Sequence, residues 1–232
     1  KTLAGIPKLQ KGSLRYMGVA GAPLDLDLKS RVEAELGLPL LNGYGITECA
    51  PGISGVRLEA PRADNAVGKL VAGVEGRIVD REGKPVANGT VGELHVRGRN
   101  VMLGYYRAPD LTEKAIDSDG WFNTGDLAHV DGDCMFIVGR TKEMIIRSGF
   151  NVYPAEVEAV LSSHDDVVQS AVVGRTTDGN EEVVAFVQLL KGSKTAPSDL
   201  MTFASKQLTP YKRPSQIIVL DALPATSTGK IL

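Results

Sequence analysis

The chain has 232 residues, 43% of them hydrophobic and 23% charged, with a formal net charge of −2. That length suffices for one large or two modest domains with their own cores, and the near balance of charge leaves no basic excess that would make nucleic acid the main partner. No apolar run is long enough to cross a bilayer. Cys49 and Cys134 stand far apart and outside any C-x-x-C pattern, which reads as free thiols in a reducing, cytoplasmic compartment.

Residues 14–22 predict a buried strand running into a Gly-rich turn, and Pro23 opens a helix to about Glu35 with Leu24, Leu28, Val32 and Leu36 on one face. Gly18 and Gly21 lack the third glycine of a dinucleotide fingerprint. Residues 38–41 form the next strand and deliver a loop, residues 42–48, at the end of an α/β sheet where ligands bind. Gly43 and Gly45 flank Tyr44, leaving it either an exposed ring in a tight turn or a packed tyrosine. From 67 to 106 the chain turns β-rich and reads as a small antiparallel barrel or sandwich. His95 alternates with Leu94 and Val96, which predicts an exposed sheet position without a ligand. Asp131-Gly132-Asp133 has too few spaced oxygens for a calcium loop and reads as a hairpin turn.

The stretch from Trp121 to Tyr153 organises the rest. Asp126 lies in a Thr-Gly-Asp turn, Arg140 in a Gly-Arg turn, and a short apolar strand, 135–138, runs between them. Two hairpin turns with a surface ion pair would look like this, and so would a carboxylate and a guanidinium placed on one polyol such as a ribose. Further on, residues 144–146 predict a strand. A helix begins at Pro154 with Val157, Val160 and Leu161 on one face and Glu156 and Glu158 outside it. Strands follow at 167–173 and 183–190, then a helix from about Ser198 to Gln207 capped by Ser198, and a last strand at 217–220. This β-α-β-β-α-β order predicts a compact sheet with helices on one side. Tyr211-Lys212-Arg213 sets a ring beside two cations, a combination that suits a base and a phosphate and is also common on any surface. Lys230 follows Gly229 in a Thr/Ser/Gly-rich turn, and Ile231 excludes a Walker loop.

Taken in order, these motifs resemble the adenylate-forming superfamily of acyl-CoA synthetases, peptide-synthetase adenylation domains and luciferases. Asn42-Gly-Tyr44-Gly-Ile-Thr47-Glu48 is similar to its fifth core motif, Gly92-Glu-Leu to Gly104-Tyr105 to the sixth, Trp121 to Tyr153 to the seventh and eighth, and Pro224 to Lys230 to the tenth. The resemblance spans nearly the whole chain. It implies a multidomain α/β and α+β fold: the end of an α/β sheet subdomain (1–55), a small antiparallel β-barrel (56–139), and a compact, mobile α+β domain (140–232). The family's Ser/Thr/Gly-rich pyrophosphate loop is not among these residues, which makes the expectation a C-terminal part of a longer enzyme.

The implied activity is that of an ATP-dependent acid–thiol ligase using a carboxylic acid, ATP, Mg2+ and coenzyme A, with oligomeric state open. The alternatives are a carrier-protein-loading adenylation domain and a nucleotide- or CoA-binding module without turnover. By resemblance, Gly21, Ala22 and Pro23 line the adenine and acyl pocket, and Asn42, Gly43, Tyr44 and Gly45 hold the adenine. Thr47 meets the α-phosphate, Glu48 holds magnesium, and Asp126 and Arg140 fix the ribose. Lys142 is the hinge, Gly149 lines a pantetheine tunnel, Tyr211, Lys212 and Arg213 lie near the CoA nucleotide, and Lys230 bridges the acid and the α-phosphate.

Overall fold

In the computed structural model, residues 12–226 and residue 231 are described. The chain forms two compact units, Lys1–Thr141 and Lys142–Leu232, with a mixed α/β and α+β architecture. Among the described residues no helix is long and apolar enough to cross a membrane.

The first unit begins with β1 (Met17–Val19), α1 (Leu26–Leu36) and β2 (Leu40–Gly45), followed by β3 (Gly52–Gly55) and β4 (Lys69–Leu70). They form a four-stranded sheet in the order β1-β2-β3-β4. Met17 pairs with Leu40 and Val19 with Asn42 in parallel, so α1 is the crossover that a parallel pair requires. The expected buried strand at 14–22 is shorter and only half-buried, because β1 pairs with β2 alone among the described residues.

The helix starts at Leu26 and not at Pro23. Asp25 caps it by accepting from the Leu28 amide at 2.7 Å, and Gly37 ends it at φ 60°. Leu26 and Leu28 are exposed, and Lys29 is buried in their stead. Its ammonium donates to Glu33 at 2.5 Å and to the Leu40 carbonyl at 2.8 Å, while Glu33 also accepts from the Leu40 amide at 2.7 Å. A buried lysine is tolerable because its stem is aliphatic and its charge is paired.

A second four-stranded sheet, wholly antiparallel, has the order β5 (Val74–Val79), β6 (Gly92–Gly98), β7 (Phe122–Asp131) and β8 (Cys134–Arg140). The expected barrel does not close among the described residues. The outer edge of β5 is met by the return of its own turn, where Val79 bridges Pro85 and Val86 N donates to the Ile78 carbonyl. Proline has no N–H with which to extend a ladder. On the other edge, the Met135 amide donates to the Gly68 carbonyl at 2.9 Å and the Met135 carbonyl accepts from the Val67 amide at 2.8 Å.

Leu94, Val96, Phe122, Ala128 and Met135 share one core with Cys49, Ile53 and Val67, so the two sheets of this unit are packed together. His95 is not on the exposed face expected of it. It is half-buried, with Arg77 3.4 Å from Nδ1 and Glu93 3.5 Å from Nε2. The Asp131–Asp133 turn joins β7 and β8 as expected, with Gly132 at φ 62°. Sequence reading missed α2 (Pro109–Ala115), a short helix with no buried residue and hence no apolar stripe.

The second unit opens with a hairpin of β9 (Ile145–Arg147) and β10 (Phe150–Val152), turned by Ser148 and Gly149 at φ 53° and 82°. Then come α3 (Pro154–Ser162), β11 (Val167–Thr177), β12 (Asn180–Leu189), α4 (Pro197–Ser205) and β13 (Gln216–Leu220). Their sheet has the order β11-β12-β13, the last pair parallel. The hairpin adds β10 to the expected element order. Val157 and Leu161 of α3 and Leu200 and Ala204 of α4 are buried against Val167, Val183, Ala185, Val187 and Ile217.

Two local expectations are corrected here. Ser198 does not cap α4; Asp199 reaches back to accept from the Ala196 amide at 3.0 Å. Glu158 is not outside the packed face, since its Oε1 accepts from the Val172 amide at 2.8 Å.

Candidate functional site

The residues read as a loop after Leu41 continue as strand. Asn42 is buried, its Nδ2 donating to the Asn65 carbonyl at 2.9 Å, and β2 runs through Gly43 and Tyr44 to a bulge at Gly45. The glycines are there for close approach. A Cβ on Gly45 would lie 2.1 Å from the Pro51 carbonyl oxygen, and one on Gly43 would lie 3.3 Å from that of Ser54. Ile46 N donates to the same Pro51 oxygen at 2.9 Å, and a tight turn, Thr47–Cys49, follows.

Tyr44 thus leaves β2 at a fixed angle and donates its phenolic hydrogen to Oδ2 of Asp126. Burial raises the phenol above its ordinary value and the Asp126 charge raises it further, so it remains a donor at any physiological pH. Asp126 lies on β7 beside a bulge. Thr124 Oγ1 donates to the Leu94 carbonyl at 2.8 Å and accepts from the Asp126 amide at 3.1 Å. Asn123 Oδ1 accepts from the Gly125 amide at 2.7 Å, which fixes the φ of 69° there.

Across the ladder, Asp126 pairs in register with Arg140, whose Nε lies 3.3 Å from Oδ1. The carboxylate is 7% exposed and the guanidinium 52%. Three strands therefore meet at one buried carboxylate with a phenol on one oxygen and a half-open cation on the other.

The Glu48 carboxylate stands on the turn after β2. Its Oε1 accepts from Tyr105 Oη at 3.0 Å, and its backbone carbonyl accepts from Met102 N at 2.8 Å. Among the described residues Glu48 makes no ion pair, and no three His, Cys, Asp or Glu side chains gather into a metal cluster. One carboxylate without a cation partner is the donor set that suits magnesium arriving on phosphate oxygens. Thr47 is exposed on the same turn. Gly21, Ala22 and Pro23 form an exposed turn after β1, just past the point where Val19 pairs with Asn42.

In the second unit the expected site residues have partners of their own. Tyr211 stacks on Phe150 at 4.6 Å, Lys212 holds both carboxylate oxygens of Glu156 at 2.6 and 2.7 Å, and Arg213 Nε donates to the Leu208 carbonyl at 3.0 Å. Lys142 is exposed in the turn Thr141–Glu143, and Gly149 faces open space at the hairpin tip. Lys230 lies outside the described residues. Sequence reasoning assigned no role to Thr124 or Tyr105; the Thr-Gly-Asp and Gly-Tyr runs contain them, but only the fold shows what each hydroxyl touches.

The chain matches the model of the AMP-binding enzymes over residues 3–106 and that of the AMP-binding enzyme C-terminal domain over residues 156–230. It is 38% identical over 225 residues to a long-chain-fatty-acid–CoA ligase of Yersinia pestis, covering 97% of this chain and 40% of that protein. ATP-bound MatB from Rhodopseudomonas palustris superposes with a TM-score of 0.92 at 34% identity, over 99% of this chain and 47% of the other. The O-succinylbenzoate coenzyme A synthetase of Bacillus subtilis, in complex with ATP and magnesium, gives 0.85 at 31% identity, over 94% of this chain and 45% of the other. The chain thus spans less than half the length of the proteins it matches. Fold and matches define an AMP-binding enzyme. The chain belongs to the adenylate-forming superfamily.

Proposed function

We propose that this chain carries the nucleotide-holding and acyl-transferring parts of an AMP-forming acid–thiol ligase that activates a carboxylic acid with ATP and passes the acyl group to coenzyme A. The observation that supports it most directly is the convergence of Tyr44, Arg140 and the buried Asp126, an arrangement fitted to a ribose, in a chain whose relatives are named as CoA ligases. In the first step a carboxylate oxygen attacks the α-phosphorus, the bond to the β-phosphate bridge breaks, and pyrophosphate leaves. In the second, the thiol attacks the acyl carbonyl and AMP leaves.

The residues divide that work. Asp126 and Arg140 orient the ribose, converting a loose encounter into a positioned one. Tyr44 offers its ring face to the adenine, with Asn42, Gly43 and Gly45 shaping its strand and Gly21, Ala22 and Pro23 closing the neighbouring turn. Thr47 donates to the α-phosphate. Glu48 holds magnesium, which when bound offsets phosphate charge. Lys230 supplies a cation to the attacking carboxylate. Lys142 is the hinge, Gly149 leaves room for pantetheine, and Tyr211, Lys212 and Arg213 border the CoA nucleotide. The buried, unbridged cysteines fit a reducing compartment such as the cytoplasm.

The test is ATP–pyrophosphate exchange and AMP release by the whole protein across aliphatic, dicarboxylic and aryl acids, with free coenzyme A against an acyl carrier as acceptor. Exchange with some acid and thioester formation on free coenzyme A are expected. Exchange that feeds only the carrier assigns a carrier-loading domain, and nucleotide binding without exchange assigns a binding module.

A further inference from the structure

The turn that carries Glu48 is gripped by the segment following β6 at four points. Asn100 Nδ2 donates to the Cys49 carbonyl at 3.2 Å and to the Gly52 carbonyl at 2.9 Å. Met102 N donates to the Glu48 carbonyl at 2.8 Å, and Tyr105 Oη donates to Glu48 Oε1 at 3.0 Å. Only the last of these touches the carboxylate; the other three hold backbone.

The backbone that carries Tyr105 is itself held. Its amide donates to Thr112 Oγ1 at 2.9 Å, and that hydroxyl donates on to the Ala108 carbonyl at 3.0 Å. Gly104 precedes it at φ 150°, and a Cβ there would lie 2.8 Å from Thr112 Cγ2, so the glycine permits the approach that sets the ring. A glutamate on a surface turn ordinarily samples several rotamers, and ordering it costs side-chain entropy. Here one oxygen is tethered to a phenol carried on a held backbone, and the other is left for a cation.

We propose that Tyr105 is a positioning residue that fixes Oε1 of Glu48 and thereby presents Oε2 to the divalent cation accompanying ATP. The inference rests on the ligase reading above and adds to it a residue that touches neither the nucleotide nor the metal. Removing the phenol leaves the carboxylate in place but unoriented, so the loss falls on metal affinity and not on recognition of the acid. The lost bond is one to a charged acceptor, and the lower end of what such a bond is worth sets the expected loss at about tenfold.

The experiment uses Mn2+ as the probe, its free concentration followed by electron paramagnetic resonance in the presence of ATP and the whole protein. Tyr105→Phe, which keeps the ring, is expected to raise the Mn2+ dissociation constant about tenfold while the KM for the carboxylic acid stays within about twofold. In a Glu48→Gln background the same substitution is expected to have no further effect. An unchanged Mn2+ constant, or effects that multiply in the double variant, overturns the inference. A wild-type protein that shows no pyrophosphate exchange and no ATP-dependent Mn2+ binding overturns the ligase reading and this inference with it; exchange with an unshifted Mn2+ constant overturns this inference alone.

Discussion

The phenol of Tyr44 is hydrogen-bonded to the carboxylate of Asp126, 82 positions further along the chain. That bond ties the end of the parallel strand pair to the antiparallel sheet, and it lets the ring that would face a base orient the carboxylate that would hold the sugar. Tyr44→Phe keeps the ring and removes the donor. A hydrogen bond to a charged acceptor is worth roughly 1.5–3 kcal/mol, and because the bond exists without ligand only part of that is lost on binding, so AMP is expected to bind about tenfold more weakly to the variant, read by titration calorimetry. Asp126→Asn, which removes the charge that Arg140 faces as well, is expected to weaken it further. Equal affinity in wild type and Tyr44→Phe would remove the phenol from the orientation of Asp126, and equal affinity in Asp126→Asn would remove Asp126 from the nucleotide site.

How far this was legible in the sequence depends on the range of the interaction. The Asp126–Arg140 pair could be anticipated because both sit on one hairpin, where register follows from the turn. The amphipathic face of α3 was equally plain, since Val157 and Leu161 repeat at helical spacing and are both buried. Tyr44 was misplaced into a loop because its glycines look like turn residues, whereas they serve the approach of Ser54 on the neighbouring strand and of Pro51 just before that strand begins. Glu158 was expected outside the packed face because the group that satisfies it, the Val172 amide, belongs to another element, and the burial of Lys29 is silent in the sequence for the same reason, since the Leu40 carbonyl lies beyond its helix.

Gly45 is a direct test of that close approach. With alanine, the new carbon would meet the Pro51 carbonyl oxygen at 2.1 Å and its carbon at 2.8 Å, so the bulge has to open and the Thr47–Cys49 turn move with it. Overpacking of this kind costs about 1–3 kcal/mol, to be read as a lower urea midpoint for Gly45→Ala. Gly52→Ala is the control, since nothing lies within 4 Å of a carbon added there. A loss for Gly52→Ala as large as that for Gly45→Ala would mean that the contact is not the cause.

Glu158 makes a prediction about pH. Burial raises its carboxyl above the ordinary value, the Val172 amide partly offsets this, and the Glu143 charge adds to the rise. A group whose folded value is raised contributes its full stability below the unfolded value, near pH 4.3, and loses it as pH climbs through the folded value. Glu158→Gln retains an oxygen for the amide and never ionises. Its thermal midpoint is expected to match wild type near pH 4 and to exceed it at pH 7. A variant less stable than wild type at pH 7 would show that the ionised carboxylate contributes favourably to the fold.

The cysteines offer a last test, of the core that joins the two sheets of the first unit. Cys49 has no exposed surface and packs with Ile53, Leu94 and Phe122. Burial pushes its thiol up to about 11, and the neighbouring Glu48 charge acts in the same direction. With that value only about one thiol in a thousand is ionised at pH 8, and the thiolate is the reactive species. In a Cys134→Ser background, Cys49 is therefore expected to resist a maleimide at pH 8 in the native state and to label at least 100-fold faster in urea. Fast native labelling would mean that the turn carrying Glu48 opens readily, and a carboxylate on a turn that opens that often would be poorly placed to hold a cation.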